Sequence, residues 1–182
     1  RLHFGYDSAI FNPDPPTGAR AGRAQRFTLS TLVHRMAKTL GVERNFLGIE
    51  EPDLCSFDGS KVVILPVPYE HTVSYGGGTK HGPGVILDAS HYVEFFDEET
   101  GRQVFKELGI ATLEPLVVSR KKDEAVLEQL YGTTRDLLRE KKFIGTLGGE
   151  HTISQASIAA FAEKYRNLSV VQIDAHSDLR NE

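Results

Sequence analysis

A single cysteine, Cys55, stands among 182 residues. No disulfide can therefore form within the chain, and a reducing compartment is the natural setting. A dominant charge is also missing. Twenty-one Lys and Arg against 25 Asp and Glu leave −4, which gives no electrostatic footprint for nucleic acid or for an anionic membrane. No apolar run approaches the roughly 20 residues needed to span a bilayer. Internal repeats and low-complexity tracts are lacking as well, which excludes solenoid and array architectures. What is present, 40% hydrophobic and 25% charged residues, suffices for the core of one α/β domain and fits a cytoplasmic enzyme. Residue 1 is Arg rather than Met, so a preceding targeting stretch, and organelle import with it, stays open.

Two regimes divide the chain. Residues 1–58 read as an N-terminal arm and helix. The stretch from 5 to about 26 is rich in Pro, Gly and Arg and has no apolar period, which reads as an extended arm. Leu29, Leu32, Val33, Met36 and Leu40 then fall on one face of a helix expected over Thr28–Leu40, with Gly41 as its stop. Residues 59–182 read as the N-terminal part of a catalytic domain. Val62–Leu65, Leu116–Val118, 143–147 and 169–173 are expected strands, apolar runs rather than alternations, as in buried parallel sheets. Between them, one helix opens at Pro83 with Val85, Ile86, Ala89, Val93 and Phe96 inward, and another is capped by Asp123 with Val126, Leu127, Leu130, Leu137 and Leu138 inward. Such alternation predicts a mostly parallel central sheet covered by helices on both faces, a three-layer α/β/α sandwich.

The chemistry is concentrated at two strand ends. The run 170–173 leads into Asp174-Ala175-His176-Ser177-Asp178. On extended backbone, side chains two apart share a face, so two carboxylates and an imidazole converge just past the strand. Open α/β sheets place their ligands at that edge, and mixed Asp and His donors suit a borderline-hard divalent cation. Gly148-Gly149-Glu150-His151-Thr152 ends the preceding strand. Its glycines permit a tight turn close to an ion, and Thr152 with Gln155 forms the pattern of a capping box for a helix with Ile153, Ala156, Ala160 and Phe161 inward. A third segment, Tyr69-Glu70 followed by Ser74-Tyr75-Gly76-Gly77-Gly78-Thr79-Lys80-His81-Gly82-Pro83, has the wrong residue order for a phosphate-binding loop. It reads as a turn lining a pocket, with Tyr69, Tyr75 and His81 at its rim.

Gly-Gly-Glu-His-Thr followed by Asp-Ala-His-Ser-Asp resembles the ureohydrolase superfamily of arginases, agmatinases and guanidino-acid hydrolases, and the segment 66–83 is similar to that family's first strand and glycine-rich loop. The resemblance covers roughly residues 60 to 180. It implies an arginase-like fold and a two-manganese site, with Ni or Zn as alternative metals. His151 would ligate one ion and His176 the other, Asp174 would bridge them, and Asp178 would join His151 and serve as the catalytic proton carrier. The family's later Asp-x-Asp ligands and a proton-shuttling histidine have no counterpart before residue 182, so the sequence reads as the N-terminal part of a longer protein, its sandwich incomplete at the C-terminus.

The activity implied is hydrolysis of a guanidino compound by a hydroxide bridging two Mn ions, with a small-molecule partner and, from the arm and the resemblance, a homo-oligomer. The continuation Leu179-Arg180-Asn181 is similar to agmatinase-like members rather than arginases, favouring agmatine, which would yield putrescine and urea and serve polyamine biosynthesis. Three alternatives stay open. One is a guanidinobutyrase or another guanidino-acid ureohydrolase, in which Arg180 pairs a substrate carboxylate instead of serving as a structural ion pair. The second is a deacylase on a related architecture, and the third a non-catalytic relative with a partial metal site.

Overall fold

The structure is a computed structural model that describes residues 38–118 and 123–176. The expected arm, residues 28–37 of the expected first helix, Asp178 and Arg180 lie outside the described residues.

Three parallel strands form the sheet: β1 Val62–Val67, β2 Ile110–Thr112 and β3 Phe143–Gly148, in the order β2-β1-β3. The register sets Val62 against Ile110 on one side and against Phe143 on the other. Central β1 is apolar on both faces, as a doubly covered strand must be. Its odd-numbered residues Val63, Leu65 and Val67 enter a cluster with Val126, Leu130 and Leu137 of the helix Asp123–Arg139 (α4) and with Ala156 of the helix Ser154–Lys164 (α5). Ile64, one residue out of phase, packs on the opposite face with Leu87 of the helix Gly82–Ser90 (α2) and with Leu40. This is the period-two alternation of a pleated strand. Two short helices, Pro52–Cys55 (α1) and Val104–Leu108 (α3), close the periphery. Among the described residues, no helix is long and apolar enough to cross a membrane.

Several elements depart from the sequence reading. Leu40 is not helical: its amide donates to the Thr112 carbonyl and Thr39 bridges Leu113, so the chain enters as an extended edge beside β2. The strand expected at Leu116–Val118 lies earlier, at Ile110–Thr112, because Pro115 has no amide hydrogen to continue a ladder. Leu116 still donates to the Pro66 carbonyl. In α2 the buried stripe is Pro83, Leu87 and Ser90, while Val85 and Ile86 are exposed; the helix ends before Val93 and Phe96, which are exposed too. The apolar count there is indifferent to face, and the sheet selects the 83-87-90 side. The run 169–173 is not a strand, and Ile173 is 98% exposed. Among the described residues only β3 offers it an edge, and a parallel strand gains little stability until it is paired and covered.

Candidate active site

The site is built where β1 and β3 end side by side. Val67 pairs with Gly148 at the last rung, and the Gly149 amide donates to the Val67 carbonyl at 3.2 Å. A Cβ on Gly149 would lie 2.1 Å from the Tyr69 carbonyl oxygen and 3.3 Å from Lys80 Cα. Only glycine lets the two strand-end loops approach this closely. The chain then passes through Glu150 into a single 3-10 turn, His151–Ile153, before α5 begins at Ser154. His151 is therefore presented, exposed, on a turn held from both sides.

The expected capping box is absent. No side chain caps α5, and the Thr152 hydroxyl instead meets the Thr72 hydroxyl at 3.1 Å. The competing partner is tertiary, which a local spacing rule cannot see. Ile153, Ala156 and Ala160 of the expected stripe are buried, while Phe161 is only half-buried.

Glu150 binds the loop after β1. Its Oε2 accepts the amides of His71 and Thr72, each at 2.9 Å, and its Oε1 accepts the Thr72 hydroxyl at 2.5 Å. These bonds lower its pKa against the opposing effect of burial, which is the largest single influence. Asp123, the first residue of α4 rather than a cap before it, receives the Tyr69 hydroxyl at 2.6 Å and His71 Nδ1 at 2.7 Å. Glu70 gathers the glycine-rich stretch: its Oε2 accepts the amides of Gly78 at 2.5 Å and Lys80 at 3.2 Å and the Thr79 hydroxyl at 3.0 Å, while Lys80 Nζ stands 3.3 Å from Oε1. Donation by Gly78, then Lys80, holds its pKa at about 2. Tyr69, expected at a pocket rim, is buried and engaged by Asp123, whereas Tyr75 is 96% exposed.

Asp174 and His176 occupy a turn rather than extended backbone: Asp174 Oδ1 accepts the His176 amide at 3.0 Å, and Gln172 Nε2 donates to the His176 carbonyl at 3.1 Å. This is the local Asx arrangement that aspartate favours in loops. The Asp174 carboxyl is held below its usual range, first by that amide, with the charges of His151 and His176 adding to it. His151 lies close enough to Asp174 for its charge to act on that carboxyl. Among the described residues, no three His, Cys, Asp or Glu side chains are gathered closely enough to hold a metal ion. A wide depression of about 650 Å³, lined by Gly48, Glu51, Phe95 and Phe105 among others, contains none of these residues.

Residues 60–182 match the arginase family. The chain belongs to that family. It is 36% identical over 138 residues to an N(1)-aminopropylagmatine ureohydrolase of Synechocystis, an alignment covering 73% of this chain and 45% of the relative. Against an agmatinase of Bacillus cereus it is 35% identical over 129 residues, 69% of this chain and 43% of the relative. The fold superposes on a proposed agmatinase from Clostridium difficile with a TM-score of 0.64 at 25% identity, covering 70% of this chain and 46% of that one. The chain spans somewhat less than half the length of these curated relatives. A parallel sheet layered with helices is the arginase-like arrangement expected from the motifs.

The contact between His71 and Asp123 is one that sequence reasoning missed. They are 52 positions apart in sequence, so no motif spacing could have paired them. The one available signal was a Tyr-Glu-His triplet that follows a buried strand after a single proline.

Proposed function

We propose that the protein is a metal-dependent ureohydrolase that cleaves a guanidino compound, agmatine foremost, to urea and an amine. The observation that supports this best is His151, held exposed on the turn that ends β3, within range for its charge to lower the Asp174 pKa, in a chain of the arginase family. The donor set fits a divalent pair in kind: two imidazoles and a carboxylate already drawn to low pKa, while Glu70 and Glu150 are occupied by amides. His151, Asp174, His176 and, from the motif, Asp178 would hold the ions, Mn²⁺ foremost. When bound, such ions acidify water and polarise the substrate. Asp178 would accept the proton released as water attacks the guanidinium carbon and deliver it to the departing amine. Loop 69–80 would form one wall of the pocket, with its polar backbone already satisfied by Glu70 and Glu150. A cytoplasmic homo-oligomer and a catalytic unit beginning near residue 59 belong to the same proposal.

The test is urea release by the full-length protein supplied with Mn²⁺ across agmatine, N(1)-aminopropylagmatine, arginine and guanidinobutyrate. Urea from agmatine or its aminopropyl derivative is the expected result. Release from guanidinobutyrate alone would move the assignment to a guanidino acid, and metal-loaded protein inert on all four would overturn the reading.

A further inference from the structure

The loop after β1 is held by carboxylates from three different places in the chain, and two of those belong to other elements. Asp123 at the start of α4 takes Tyr69 and His71 through side-chain bonds of 2.6 and 2.7 Å. Glu150, next to His151, takes the amides of His71 and Thr72 and the Thr72 hydroxyl. Position 71 is thus gripped twice, by its ring from α4 and by its backbone from the β3 turn. Glu70 then fixes residues 78–80, which carry the chain back to α2. The loop is also in contact with the motif turn itself, through Thr72 against Thr152 and through Gly149 beneath Tyr69 and Lys80.

We propose that Asp123 and Glu150 are positioning residues that clamp loop 69–72 from opposite sides, presetting one wall of the substrate pocket against the turn that carries His151. This rests on the ureohydrolase reading for the identity of the substrate, but not for the clamp. The physical argument is preorganisation. A loop whose amides are already satisfied by fixed carboxylates loses little freedom when substrate binds, and that lowers the cost of association. Glu150 is well suited to the task because a carboxylate accepts at both oxygens. The isosteric amide presents a donor where His71 and Thr72 also donate. Asp123 differs in bonding the loop from an element that carries none of the motif residues, 28 positions in sequence before His151.

The experiment compares Glu150→Gln and Asp123→Asn with the wild type in the full-length protein, by amide hydrogen exchange and by steady-state kinetics on whichever substrate releases urea. Exchange at Thr72 should rise at least tenfold in Glu150→Gln, with the strands unaffected. In Asp123→Asn, KM should rise at least fivefold while kcat falls less than threefold and metal content by elemental analysis is unchanged. Thr72→Val, which removes the hydroxyl shared with Glu150 and Thr152, gives the same readout should Glu150→Gln fail to fold. Unaltered exchange at residues 71–72 in folded variants overturns the clamp, even with full urea release. Faster exchange with unchanged KM overturns the positioning role and leaves only a structural one. Faster exchange in a protein inert on every guanidino substrate upholds the clamp and removes the ureohydrolase reading instead.

Discussion

Glu70 illustrates how one side chain can organise a glycine-rich segment that has no regular structure of its own. Its carboxylate collects two amides, a hydroxyl and an ammonium from Gly78, Thr79 and Lys80, and every one of those bonds favours the ionised form. The pKa accordingly falls from 4.5 to about 2, with the Gly78 amide the largest cause. A depressed carboxyl pKa contributes stability that is complete above the unfolded value and is lost as pH falls through the folded one. The loop should therefore stay anchored from neutral pH down to about pH 4.5 and release as pH approaches 2. A carboxyl NMR titration of Glu70 should give a midpoint near 2, and a midpoint near 4.5 would mean the loop is not so held. Gly149 is another residue whose identity is dictated by contact: the Tyr69 carbonyl occupies the space a Cβ would need.

At the scale of elements, α4 bears the main core on one side of the sheet. Val126, Leu130, Leu137 and Leu138 recur at helical spacing and are all nearly or fully buried. Leu130, with no exposure, packs in the cluster that includes Val63 and Leu65 of β1. Leu130→Ala should cost about 2–5 kcal/mol from lost transfer energy and the cavity left behind. Denaturant unfolding with an unchanged slope would measure it, and a cost below about 1 kcal/mol would mean the core collapses into the gap. The helix α4 was legible because its period is long and its polar face unambiguous. The helix α2 was legible in position but not in face, since Val85 and Ile86 compete with Leu87 in a nine-residue segment. Strand β2 was the least legible, being three residues that include Ala111 and Thr112 and owe their extended form to pairing with β1.

For the whole molecule, the decisive question is whether the motif residues act together. His151→Asn in the full-length protein should reduce bound metal from two ions per chain to at most one and abolish most urea release, with far-UV circular dichroism unchanged. Wild-type metal content in that variant would remove His151 from the ligand set. By itself the sequence determined the family motifs, the parallel class of the sheet and the strands β1 and β3, because continuous apolar runs ending in polar, glycine-bearing turns encode these locally. Tertiary structure alone decided which carboxylates brace the loop, which face of α2 is buried, and that Thr152 bonds Thr72 instead of capping a helix. Each of these depends on a partner tens of residues away, and a side chain with two available partners takes the one that the folded sheet brings within hydrogen-bond reach.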